Sequence, residues 1–391
     1  MEKFLQQSQA MHTELVKNRR FLHRFSEVGF KLLQTKKFVF RTLTEYGYQP
    51  EYVGKAGVVA TIGKPGKTIL LRADMDALPM REESQLDYAA ENGNCHACGH
   101  DMHTAMLLGA AKLLKQHEKD LAGAVKLMFQ PAEELMSGAL DMIEHGILKN
   151  PYVDAALALH VMVGREDSQT GKLLYTKGCV SKSGDAIRIT VTGKDAHGST
   201  PCLGIDAVSI ATHIVIALQE ISAREIPSDE NTVLLVGKIE GGTTCNTVAG
   251  KAVLEVSVRT CGQRQRTFLR KRIKEVATGI ALAYRGKAVV EHLYGCSALE
   301  NNSELVDDMV RYIREIRSED MIVGDCRMSY GEDFTSVAEQ VPSAYLVLGA
   351  GAVSEGYPLG LHNPAVKFNE EVLSVGAAIY AGCAYRWLAE H

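Results

Sequence analysis

The 391-residue chain has no long apolar run, no strong excess of either charge and no dense array of cysteines. A bilayer-spanning helix needs about 20 consecutive apolar residues, and no stretch approaches that length. Residues 1–20 are charged and lack the apolar centre of a secretion signal. Lys and Arg are scattered and the formal net charge is only -4, so neither nucleic acid nor a membrane surface is expected as a partner. The nine cysteines are odd in number and widely spread, which excludes a disulfide scaffold. Mostly buried free thiols in a reducing cytoplasm are expected instead. Repeats and low-complexity tracts are also missing. What is present is an ordinary globular mixture, 46% hydrophobic and 23% charged, at a length that calls for two domains.

Short apolar runs at residues 57–63, 68–73, 124–129 and 154–159 predict strands. Helical periodicity at 103–118 and 137–147 alternates with them. That alternation predicts an α/β domain with a largely parallel sheet and helices on both faces. Polar residues follow the strand ends: Asp74 and Asp76, Glu133 and Glu134, and His160. Ligands of open α/β sheets bind outside the carboxyl ends of strands, so these groups can share one crevice. The pattern changes near Gly184. Strand, helix 204–224, strands 232–239 and 252–259, helix 264–284 and strand 287–293 follow in the order β-α-β-β-α-β, that of a ferredoxin-like module. Helix 303–317, strand 344–348 and helix 370–388 then resume the first pattern. The reading is one α/β domain, residues 1–183 and 295–391, interrupted by a smaller one at 184–294.

The densest chemistry lies in Cys95-His96-Ala97-Cys98-Gly99-His100-Asp101-Met102-His103. Thiolate, imidazole and carboxylate are ligands for a borderline-soft divalent metal. The Cys95-x-x-Cys98 spacing also occurs in redox sites and zinc knuckles. A knuckle needs a second close pair, and the flanking imidazoles favour metal over redox. Cys95 is expected to be structural and Cys98 a ligand. His160 follows an apolar run, and His362 follows a Gly-rich loop; with Cys98, His100 and Glu134 they form a candidate ligand set. His12, His117, His145, His213, His292 and His391 are expected to be ordinary core or surface residues. Of the adjacent Glu133 and Glu134, one can coordinate metal while the other takes a proton from an activated water.

At these residues the chain resembles the M20 metallopeptidase family, in the amidohydrolase branch that includes hippurate hydrolases, aminoacylases, N-acetyldiaminopimelate deacetylase and plant auxin-conjugate hydrolases. The resemblance begins at Arg19-Arg20-Phe21-Leu22-His23. It continues through Leu71-Arg72-Ala73-Asp74-Met75-Asp76, His96-Ala97-Cys98-Gly99-His100-Asp101, Gln130-Pro131-Ala132-Glu133-Glu134 and Ala158-Leu159-His160. It closes with Gly331-Glu332-Asp333-Phe334 and Leu361-His362-Asn363-Pro364. It implies two divalent metal ions per subunit, held by Cys98, His100, Glu134, His160 and His362, with Glu133 as general base and then acid. Zinc suits a thiolate with imidazoles, while manganese, cobalt or nickel can occupy such mixed sites. Asp76 would orient a ligand. The inserted module would be a lid and homodimerisation domain. Its His197, in Gly193-Lys194-Asp195-Ala196-His197-Gly198-Ser199, would stabilise an oxyanion from its own or the other protomer. Asn246 would touch substrate, and Arg259 is a candidate to pair with a substrate carboxylate, although a strand-end arginine is expected more often to be structural. The chain departs from the family pattern at Ser26, at Leu135-Met136, at Thr247-Val248-Ala249-Gly250 and at Ser329-Tyr330. None of these is a ligand position.

The resulting expectation is a metal-dependent amidohydrolase that cleaves small N-acyl amino acids. Two rivals stand beside it. A di-metal aminopeptidase or dipeptidase would need an acidic group for the substrate ammonium. A binding protein on the same scaffold would have no use for Glu133.

Overall fold

Strand Thr68–Asp74 is buried along its whole length, as are Ala124–Gln130, Ala155–Met162 and Ser343–Gly349. Strands covered on both faces carry apolar side chains at nearly every position, which is why these segments read as continuous runs. In the computed structural model, which describes residues 1–328 and 330–391, they form the centre of an eight-stranded sheet. Ser329 lies outside the described residues. The central order is Ala124–Gln130, Thr68–Asp74, Ala155–Met162, Ser343–Gly349, and all three contacts are parallel. Antiparallel pairs appear further out, at Gly57–Gly63 and Leu173–Leu174.

Two compact units divide the chain: residues 1–180, 300–327 and 332–391, and residues 181–299 with 328–331. In the first, helices His100–Gln116 and Val372–Glu390 pack on each other and on strand Thr68–Asp74. Tyr380 ties the second helix to the sheet. Its hydroxyl donates to the Arg72 carbonyl at 2.6 Å and accepts from the Leu159 amide at 2.9 Å. Val372–Glu390 corrects one expectation, because it is long and apolar enough by composition to span a bilayer. Its apolar window is 83% buried inside the protein, and that burial accounts for its composition.

Three helices, Glu2–Ala10, His12–Arg24 and Leu33–Glu45, precede the first strand and were not expected. The middle one buries Leu15, Asn18, Arg19, Leu22 and His23. The spacing is helical, but three of the five are polar, so hydrophobic periodicity gives no signal.

The second unit holds a four-stranded antiparallel sheet in the order Val233–Gly241, Lys251–Arg259, Gly184–Thr192, Lys287–Cys296. Ile187, Ile189 and Val191 alternate into a core with Leu254, Val256 and Val258, beneath helices Ala207–Glu220 and Gln263–Ala283. The connection order is the ferredoxin-like one. Asp206 caps the first helix by accepting from the Val208 and Ser209 amides, and a π turn at Ile221–Glu225 ends it.

Seven cysteines are free, and Cys95, Cys98, Cys326 and Cys383 among them are buried. The other two, Cys179 and Cys261, are disulfide-bonded and are the exceptions to the expectation of mostly free thiols.

Candidate metal centre

Gly99 builds the first part of the site. It adopts φ 84° as the residue before helix His100–Gln116, and it turns the chain so that Cys98 and His100 flank the helix start. A Cβ there would lie 2.4 Å from Val161 Cγ2, so only glycine fits. Upstream, Cys95 and Leu78 exchange backbone hydrogen bonds of 3.0 Å, which anchors the loop and gives Cys95 its structural role. Glu133 and Glu134 follow Ala132, which is held at φ 54°. Asp76 accepts from both of their amides, at 3.0 and 3.3 Å. His362 also has a positive φ, 62°, and its amide donates to the Ala97 carbonyl at 2.9 Å. Left-handed backbone at non-glycine residues is costly and concentrates at functional sites.

His160 differs from the expected position. The strand runs on to Met162, so His160 lies within it and not past its end. Val161 and Met162 continue the parallel register against Leu348 and Gly349. The side chain still reaches the site: its Nε2 is 3.5 Å from Cys98 Sγ, while Nδ1 pairs with the Val161 carbonyl at 2.7 Å.

The first unit brings Cys98, His100, Glu134, His160 and His362 together. Donor atoms of Cys98, His100 and His160 lie within 4.8 Å of one another, and so do those of Cys98, Glu134 and His362. Glu134 Oε1 is 3.2 Å from His362 Nε2 and 4.0 Å from His100 Nε2. Asp76 Oδ1 stands 3.6 Å from His100 Nδ1. Glu133 Oε2 is 3.9 Å from His100 Nε2.

The electrostatics ask for added positive charge. Burial alone would lower the His100 pKa, but Asp74 and Cys98 hold it well above the usual range. Burial would raise Glu134, yet His362 and His100 keep it below its ordinary value. Burial pushes the Cys98 thiol up to about 12. A bound cation would deprotonate such a thiol outright. Neither ring nitrogen of the buried His100 has a hydrogen-bond partner among the described residues. Orphaned imidazole nitrogens beside a thiol and carboxylates fit divalent metal ions.

A competing trio, Asp74, His100 and His103, has similar spacing. His103 is already committed, however. Its Nδ1 pairs with Asp74 at 2.6 Å and its Nε2 accepts from the Val161 amide at 2.8 Å.

Behind the cluster lies a buried network whose roles the sequence left unassigned. Arg72, 1% exposed, contacts Asp74 at 2.7 Å, Glu332 at 2.7 Å, Asp333 at 3.2 Å and Gln130 at 2.9 Å. Burial pushes Asp333 up to about 7. Burial, with Glu332 and Asp333 alongside, holds the Glu133 carboxyl well above the ordinary range. The available signal was Arg72 itself: an arginine inside an apolar strand must have buried partners, since breaking such a pair costs about 3–5 kcal/mol.

In the second unit, His197 and Asn246 fall together. The exposed His197 pairs through Nδ1 with Ser199 Oγ at 2.7 Å, and the Gly198 amide donates to the Asn246 carbonyl at 2.7 Å. Arg259 is elsewhere, at the opposite end of strand Lys251–Arg259, about 26 Å along it.

The chain is similar to known proteins over nearly its whole length. The chain is 35% identical to an IAA-amino acid hydrolase, ILR1-like 2, of Arabidopsis thaliana, over 96% of this chain and 85% of the relative. It is 32% identical to an N-acetylcysteine deacetylase of Bacillus subtilis, over 96% of this chain and 97% of the relative. Among solved structures, a dinuclear metal-binding M20 peptidase of Bacillus subtilis superposes with TM-score 0.83 at 30% identity, over 98% of this chain and 99% of that one. The model of peptidase family M20/M25/M40 matches residues 70–386, and the chain belongs to that family.

Proposed function

We propose that the protein hydrolyses the amide bond between an acyl group and an amino acid. One observation carries the reading: two adjacent glutamates, pinned at their amides by Asp76, have different surroundings. Both stand near His100, but Glu134 also meets His362 at 3.2 Å, whereas Glu133 is the one beside Glu332 and Asp333. That difference supports Glu134 as the ligand and Glu133 as the group for proton transfer. The relatives named as acyl-amino-acid hydrolases and deacetylases support the substrate class.

Cys98, His100, Glu134, His160 and His362 would hold two divalent cations, zinc first among them. When bound, such ions polarise the scissile carbonyl and bring the pKa of a water down to about 7. Glu133 takes the proton of the attacking water and returns it to the leaving amine nitrogen. Asp76 keeps the Glu133–Glu134 segment and His100 in fixed relation. The roles of His197 and Asn246 toward substrate, the pairing of two copies through the second unit, and a cytoplasmic location belong to the same proposal. The position of Arg259 supports a structural role for that residue.

The test is a substrate panel on protein reconstituted with zinc, manganese, cobalt or nickel. N-acyl amino acids should exceed unblocked dipeptides by about 100-fold in kcat/KM, because nothing is proposed to receive a free ammonium. The reverse order would make the protein a dipeptidase. No hydrolysis with any metal would leave a binding protein.

A further inference from the structure

Glu133 has an unusual back wall. Carboxylate oxygens of Glu133, Glu332 and Asp333 lie within 4.8 Å of one another, all three residues being buried. Like charges so close in a dry interior repel strongly, so something must hold them. The Arg72 guanidinium does this for two of the three. It reaches Glu332 Oε1 at 2.7 Å and Oε2 at 3.3 Å, and Asp333 at 3.2 Å. Glu332 is further fixed by the Phe334 amide at 2.9 Å, and Asp333 by Gln130 at 2.6 Å and the Ala139 amide at 2.9 Å. The remaining Arg72 contacts go to Asp74 and Gln130. Glu133 is the carboxylate the guanidinium does not hold, although its charge is felt by Arg72.

We propose that Glu332 is a positioning residue that occupies Arg72 and so keeps the Glu133 carboxylate turned toward His100. An arginine fork binds carboxylates in a bidentate fashion, and a vacated fork beside a free carboxylate captures it. A captured Glu133 would be drawn away from the ligand cluster and would lose its use as a base. Glu332 and Asp333 therefore act as decoys that keep the guanidinium occupied at the rear of Glu133. The inference rests on Glu133 being the base.

Glu332→Gln tests it, with Glu133→Gln run in parallel on metal-loaded protein and an N-acyl amino acid as substrate. The expected result for Glu332→Gln is a kcat about 30-fold lower, with KM within about twofold and metal content unchanged. A crystal structure of the variant should show Glu133 paired with Arg72. A kcat within about threefold of wild type would overturn the proposal, as would a Glu133 that has not moved or a loss of metal alongside turnover. If the glutamine variant does not fold, Glu332→Asp takes its place. Its retracted carboxylate should cost about three- to tenfold in kcat at constant KM and metal content, and an unchanged kcat overturns the proposal. An active Glu133→Gln would instead sink the base assignment, whatever Glu332→Gln does.

Discussion

Glu133→Gln should lower kcat by about 10³-fold while both metal ions stay bound and KM stays within a few-fold of wild type. The side chain keeps its size, one oxygen giving way to nitrogen, and loses its ability to accept a proton. Because Glu133 stands 3.9 Å from His100 and beside Glu332 and Asp333, it lies against the ligand cluster without being one of the five donors proposed. Amide replacement also removes a buried charge from a crowded acidic site, so the variant should unfold no more easily than wild type. Steady-state kinetics with parallel metal analysis checks this. A variant that keeps a tenth or more of wild-type activity would reassign the base.

Cys98→Ala should act on the opposite quantity. Its sulfur faces His160 Nε2 at 3.5 Å and shares donor groups with both His100 and the Glu134–His362 pair. A thiol common to both groups is the donor whose loss affects both cations. Metal content should fall below two per chain, and turnover should drop by more than about 100-fold, beyond the effect seen for residues that only orient ligands. Elemental analysis of the purified variant reads the result directly. Unchanged stoichiometry would remove Cys98 from the ligand set.

The difference between the two variants is the reason to make both. One is expected to separate turnover from metal binding, and the other to couple them.

How much of this was legible in the sequence depended on the kind of signal. The four central strands were legible because a strand buried on both faces is apolar throughout. The ferredoxin-like unit was legible because Ile187, Ile189 and Val191 alternate toward a core on one face. The helix His12–Arg24 was not, since Asn18, Arg19 and His23 put polar groups on its buried face. Two of those groups share a partner instead: Asp101 meets Arg19 at 2.7 Å and His23 at 2.7 Å. At the site, residue types and local order pointed to all five proposed donors. Geometry was harder to anticipate. His160 sits inside its strand because Val161 and Met162 extend the pairing by two residues. Arg72 and Glu332 meet across 260 positions, and no local pattern encodes such a pair. Arg259 already reads as a strand-end arginine, and it closes the strand Lys251–Arg259.

The most direct test is an anomalous-scattering crystal structure of the metal-loaded protein. Two peaks about 3.5–4 Å apart, within bonding distance of Cys98, His100, Glu134, His160 and His362 and not of Glu133, are the predicted result. A single peak on Asp74 and His103, or no peak among the five donors, would contradict it.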